Sequence, residues 1–213
     1  MENNKLKTGT TTVGLVIKDA VVLAADRRVS MGHLAYGDDT PKIHRITDNI
    51  ALTTAGSVGD LLTLIRFAKS QANLYEIERE TKMTPNALVN LLSNILNANR
   101  YYPFGVQFII GGLNKEAELY ELTPDGGVLK RDQFAVSGSG TELAMAVFDQ
   151  YYEKDMEEQK AIELAVRAVT AAKKRDLYSG GKGVSVRVID RKGQRTISEQ
   201  EVKRILEKQT VSA

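Results

Sequence analysis

Gly9-Thr10-Thr11-Thr12, close to the start of the chain, leads directly into a strand-like run from Val13 to Ile17. A cut between Gly9 and Thr10 leaves a threonine whose hydroxyl and free α-amine sit on the same residue, a nucleophile with its own base. The α-amine titrates at about 7.7 to 8.0, so roughly a tenth of it is neutral at pH 7, and a nearby cation enlarges that fraction. A lysine titrating at about 10.4 is the poorer base and the better electrostatic partner. Attack of the Thr10 hydroxyl on the Gly9 carbonyl would make the cut itself, through an ester that water opens. Glycine at position 9 eases the tight geometry. Until the cut the Thr10 nitrogen is an amide, so the full chain is expected to be a zymogen.

Other groups sit at the ends of apolar runs. Asp26-Arg27-Arg28 closes the second run, Pro41-Lys42 precedes the third, and Ala55-Gly56-Ser57-Val58-Gly59-Asp60 ends the fourth and opens a helix. Further on stand Ser137-Gly138-Ser139-Gly140 and Lys174-Arg175-Asp176-Leu177-Tyr178-Ser179-Gly180-Gly181. Each has a plainer reading alone. Lys42 reads as a solvated loop lysine, Asp26 as a strand-end turn residue, Gly56 as an ordinary helix start, and Asp176 as part of a charged helix end. A serine-glycine loop before a helix can cradle a phosphate. Against that, the Gly-Lys-Ser/Thr ending of a phosphate-binding loop and any dinucleotide fingerprint are missing.

Composition narrows the classes. The 213 residues suit one well-cored domain, and 29 basic against 27 acidic residues leave no basic block of the kind that tracks nucleic acid. No cysteine occurs, and two isolated histidines, His33 and His44, cannot build a metal site alone. Residues 1–9 are polar, with Lys5 and Lys7, unlike a secretory signal, and no apolar stretch is long enough to span a bilayer. A cytoplasmic protein without cofactor, nucleic acid or membrane partner is the expectation. Residues 1–9 read as a propeptide and 10–213 as a single catalytic domain.

The elements that must position these residues follow from periodicity. Thr11 to Ile17 and Ala20 to Ala25 read as a hairpin about Lys18-Asp19, and Ile43 to Ile46 and Ile50 to Ala55 as a second strand pair. Leu61, Leu64, Ile65, Ala68 and Ala72 mark a helix with Ser57 as its N-cap. Thr84-Pro85 opens another, with Leu88, Leu91, Leu92, Ile95 and Leu96 on one face. Strands resume at Val106 to Ile110, Glu118 to Leu122 and Phe134 to Val136, with Gly111-Gly112 and Pro124-Asp125-Gly126-Gly127 as breaks. A second helix pair carries Leu143, Ala146, Val147 and Tyr151, then Ile162, Ala165, Val166, Val169 and Ala172. Val184, Val186 and Val188 alternate as a strand, and Ser198 with Glu201 forms a capping box for a last helix through Leu206. Strand blocks alternating with helix pairs define an α+β class in which helix stripes cover sheet faces.

Taken together and in this order, the motifs from Gly9 to about Ile189 closely resemble a β subunit of the 20S proteasome, of the archaeal type. The resemblance implies a four-layer αββα sandwich of two mainly antiparallel sheets flanked by helix pairs, the fold of N-terminal-nucleophile hydrolases. It implies Thr10 as nucleophile, Lys42 as the nearby cation and Asp26 as its counter-charge. Arg28 lies in the same motif. The Gly56 N–H would stabilise an oxyanion, and Ser139, Asp176 and Ser179 would hydrogen-bond around the terminal threonine. Val29, Thr40, His44, Thr54, Val58 and Leu62 match the first specificity pocket, mostly apolar, with His44 a less typical occupant. Tyr178 and Lys182 depart from the smaller or neutral residues common in that segment. The implied activity is a threonine endopeptidase that degrades unfolded polypeptides. Its implied setting is two β rings of seven stacked between two α rings of seven, with a regulatory ATPase acting through the α ring. An unprocessed structural β subunit, dependent on a second active β partner, is the alternative.

Overall fold

The computed structural model describes residues 9–211. All of the expected propeptide except Gly9 therefore lies outside the described residues. The first hairpin forms as the residues demand: β1 (Thr11–Ile17) and β2 (Ala20–Ala25) pair antiparallel across Lys18-Asp19. Short β3 (Val29–Met31) and β4 (Leu34–Gly37) form a separate hairpin, and β5 (Ile43–Arg45) pairs with β6 (Ile50–Gly56). Two helices follow, α1 (Val58–Arg79) and α2 (Pro85–Ala98), then β7 (Val106–Leu113), β8 (Ala117–Leu122), β9 (Val128–Lys130) and β10 (Phe134–Gly138). The chain closes with α3 (Thr141–Tyr151), α4 (Glu158–Arg175), β11 (Ser185–Asp190), β12 (Gly193–Thr196) and α5 (Glu199–Val211).

Two five-stranded sheets result, in the orders β10-β1-β2-β11-β12 and β5-β6-β7-β8-β9, every neighbouring pair antiparallel. They pack face to face through Val21, Leu23, Ile109 and Leu119. On the outer face of the first sheet, Val13, Leu15, Val22 and Val186 pack against α3, α4 and α5. On the outer face of the second, Leu52, Phe108 and Ile110 pack against α1 and α2. Strand β2 is covered on both faces, which is why it reads as an unbroken apolar run. The α+β class and four layers agree with expectation, except that α5 joins the expected pair on the first sheet through Val202 and Ile205.

Two local readings are corrected. Gly111-Gly112 is not a break but lies inside β7, because a Cβ at Gly111 would stand 2.7 Å from Val21 Cγ1 and hold the sheets apart. The buried face of α3 is Ala144 and Phe148, with Ala146 and Tyr151 exposed. Phe148 stacks on Phe134 at 4.9 Å, while the Tyr151 ring lies outside under the Arg167 guanidinium. Ser57 occupies the N-cap of α1 but its side chain makes no capping bond, unlike Thr84, whose hydroxyl accepts from the Ala87 N–H at 3.1 Å. Ser198 does accept from the Glu201 N–H, at 3.2 Å. The β3–β4 hairpin and β9 escaped the periodicity reading, being short and largely exposed.

Candidate active site

Thr10 lies one residue before β1 at the end of the sandwich where β2 and β6 also stop, and it is 6 % exposed. The Gly9–Thr10 peptide places the Thr10 hydroxyl against the junction it is expected to cut, donating to the Gly9 carbonyl oxygen at 2.7 Å. Antiparallel pairing of β1 with β10 brings Gly138 opposite Thr11. At Gly138 the backbone has φ of 97° and a Cβ would stand 2.1 Å from the Thr10 carbonyl oxygen, so only glycine lets the loop after β10 close around Thr10.

That loop delivers Ser139, whose Oγ lies 3.1 Å from the Thr10 nitrogen and 2.5 Å from Asp176 Oδ2. A serine has one proton to give. The Asp176 carboxylate takes it, leaving the Ser139 lone pairs to accept the Thr10 N–H. Ser179 likewise donates to Asp176 Oδ2 at 2.5 Å, so the Thr11 hydroxyl, 2.6 Å away, is the donor to Ser179. Asp176 thereby orients two hydroxyls, one meeting the Thr10 nitrogen and one the Thr11 hydroxyl.

Asp26, at the turn after β2, has no exposed surface and is fully hydrogen-bonded. Its Oδ1 accepts from the Thr11 N–H at 3.0 Å and Lys42 Nζ at 2.7 Å. Its Oδ2 accepts from Gly180 N–H at 2.9 Å and Arg28 N–H at 3.2 Å. Lys42 comes from the other sheet, just before β5, where its carbonyl accepts the Thr54 N–H at 3.0 Å. The ion pair therefore ties the two sheets together at the mouth of the sandwich. Burial pushes the Lys42 ammonium below the ordinary lysine value, while the Asp26 charge and hydrogen bond pull it back up.

Gly56 ends β6 with φ of 121°, directly before α1, and the Ser57 N–H donates to the Gly105 carbonyl at 2.7 Å. The first turn of α1 is anchored by Asp60, which accepts from Gly105 N–H at 2.9 Å. Thr10, Lys42 and Gly56 line one cavity together with all six residues assigned to the specificity pocket, Val29, Thr40, His44, Thr54, Val58 and Leu62. A second cleft, lined by Gly56, Gly105, Gly138 and Ser139, also borders Thr10. Leu61 and Ile65 complete the apolar wall of the first cavity. Periodicity placed both on the core face of α1, and nothing in the sequence marked their double role. The His44 imidazole is pushed below its ordinary value, first by burial and then by Lys69 and Arg187, so it is neutral around pH 7.

Two antiparallel sheets between helix layers, with a threonine at the head of an inner strand facing a cavity, make up the N-terminal-nucleophile hydrolase fold. The family model described as proteasome subunit matches residues 6–189. A proteasome subunit beta of Ferroglobus placidus is 44% identical over 209 residues, covering 98% of this chain and 99% of that protein. Proteasome subunit beta 1 of Pyrococcus furiosus is 48% identical over 187 residues, 88% of this chain and 95% of its own. The chain belongs to the proteasome subunit family, among the archaeal β subunits.

Because Asp26 is wholly buried, removing its cation strands a charge. Lys42→Met should destabilise the fold by about 3 kcal/mol, measured by denaturant unfolding. A loss below about 1 kcal/mol would mean that the three N–H donors alone hold the carboxylate.

Proposed function

We propose that this chain is the catalytic β subunit of a proteasome core, a threonine endopeptidase that matures by cutting its own Gly9–Thr10 bond. The observation that carries the reading is the Thr10 hydroxyl held 2.7 Å from the Gly9 carbonyl oxygen, beside a buried lysine-aspartate pair and an apolar cavity. In the first step Thr10 Oγ1 bonds to the Gly9 carbonyl carbon, the C–N bond breaks, and the hydroxyl proton ends on the departing nitrogen. Water then opens the ester, releasing residues 1–9 with a Gly9 carboxylate and restoring the hydroxyl.

The freed nitrogen stays beside Ser139, which accepts from it, and close to a cavity wall that carries the Lys42 ammonium. The cation lowers the amine's proton affinity and enlarges the neutral fraction that can act as base. In turnover Thr10 attacks a peptide carbonyl whose developing oxyanion is met by the Gly56 N–H at the positive end of α1. An acyl-enzyme forms, the amine product leaves with a proton from the α-amine, and water completes the cycle. Asp26 keeps Lys42 in place. Asp176 and Ser179 act by holding Ser139 and Thr11.

The apolar first cavity favours cleavage after hydrophobic residues. Membership of the proteasome subunit family supports assembly with other proteasome subunits. In the proposed form, two β rings of seven lie between two α rings of seven in the cytoplasm, and unfolded polypeptides are delivered by an ATPase through the α ring.

The intact mass of the chain co-expressed with its α subunit tests the reading. Wild type should lose residues 1–9 and Thr10→Ala should retain them. Loss of the segment from the Thr10→Ala chain without a wild-type neighbour would contradict autolysis. The cavity histidine adds a pH signature. Its depressed value keeps it neutral above the ordinary imidazole range, and acidification below that range places a cation in the cavity. The ratio of cleavage after leucine to cleavage after glutamate should therefore hold steady through the ordinary imidazole range and fall only as pH drops below it, and His44→Leu should flatten the change. An unchanged ratio in wild type would remove His44 from substrate selection.

A further inference from the structure

A glycine is required for one of two reasons, a left-handed backbone or the absence of room for a side chain. Gly138 has both. At Gly9 the second reason applies: a Cβ built on it would stand 1.7 Å from Tyr178 Cβ, 2.6 Å from Tyr178 Cγ and 2.8 Å from Ser139 Oγ. Contacts that short are not met between real atoms, and the nearest is a Cβ, which cannot rotate away. The two shortest of these contacts are to Tyr178, and the third is to the terminal hydroxyl of Ser139.

We propose that Tyr178 is the residue that restricts position 9 to glycine, serving as a steric wall that seats the Gly9 carbonyl for attack by Thr10. This rests on the autolytic reading above and adds a positioning residue to it. The loop that carries Tyr178 is rigidly placed by main-chain bonds. The Tyr178 N–H reaches Asp176 Oδ1 at 3.4 Å, and the Tyr178 carbonyl accepts from the Ser30 hydroxyl at 3.1 Å. Ser179 and Gly180 then bind Asp176 and Asp26. None of these bonds uses the tyrosine side chain. An added carbon at position 9 must therefore displace the Gly9 carbonyl or the loop that orders Ser139 and Asp26. In either case the bond from Thr10 Oγ1 to the Gly9 carbonyl carbon forms more slowly, and with it the breaking of the C–N bond.

The test is a double-mutant cycle on the rate at which residues 1–9 are lost, followed by intact mass after mixing with the α subunit. With Tyr178 present, Gly9→Ala should slow the cut about 10- to 100-fold. In the Tyr178→Gly background the same substitution should cost less than about threefold. Tyr178→Ala keeps the obstructing Cβ and should leave the full penalty in place. Comparing each Gly9→Ala chain with its own parent cancels any general effect of loosening the loop. An equal penalty in the Tyr178 and Tyr178→Gly backgrounds would overturn the proposal and leave autolysis standing. A parent chain that never loses residues 1–9 would overturn both. A second readout needs neither catalysis nor a change at Tyr178: in the uncleavable Thr10→Ala precursor, Gly9→Ala should lower the melting temperature, and an unchanged value would mean that no wall is there.

Discussion

The buried Asp26 carboxylate is the constraint on which the site depends. An ionised carboxylate removed from water costs several kcal/mol unless it is paired and fully hydrogen-bonded. Asp26 meets that demand with groups from separate parts of the chain: the Thr11 N–H at the head of β1, the Arg28 N–H in its own turn, the Lys42 ammonium before β5, and the Gly180 N–H after α4. Each carboxylate oxygen accepts two of these donors, so withdrawing any one halves the hydrogen bonding of an oxygen that has no exposed surface. The threonine strand, the cation and the loop behind them are therefore fixed relative to one another by a single group.

This explains why the candidate site lies at the end of the sandwich and not on a helix or in a long loop. Face-to-face packing of two sheets brings the ends of β1, β2 and β6 and the start of β5 to one edge. There backbone N–H groups leave their ladders and become free to bind a carboxylate or an oxyanion. The sheets pack closely, with Gly111 against Val21, and at the end of the sandwich Lys42 from one sheet reaches Asp26 of the other at 2.7 Å. The same edge exposes the apolar start of α1, where Val58 and Leu62 are about half exposed and line the cavity instead of the core. The strand-to-helix turn from β6 to α1 thus places Gly56 beside the apolar residues Val58 and Leu62 in one cavity wall.

Much of this was legible in the residues. Thr10, Asp26, Lys42 and Gly56 stand at strand ends, where chain order and hydropathy mark them, and the six cavity residues follow once the motifs are aligned. Ser139, Asp176 and Ser179 were legible as groups but not as a chain of donors, because which hydroxyl donates depends on which carboxylate it meets. Leu61 and Ile65 were hidden because a cavity wall continuous with the core has the same periodicity as the core. Ala144 and Phe148 were missed because small and exposed apolar residues on α3 obscured the stripe, and only the partner ring of Phe134 selects the face. The Tyr178 contact with Gly9 joins residues at opposite ends of the sequence, and no local pattern announces it.

In the proposed mechanism the hydroxyl and the amine of one residue, Thr10, act together. A peptide carrying a ketone beside an epoxide tests it directly, since a hydroxyl adds to the ketone and only an amine on the same residue can then open the epoxide into a ring. After reaction with the assembled, matured particle, peptide mapping by mass spectrometry should place one probe on each chain, at Thr10 as its first residue and in the ring-closed form. A probe attached to any other residue, or none on an assembled chain that begins at Thr10, would rule out a nucleophile and base on Thr10.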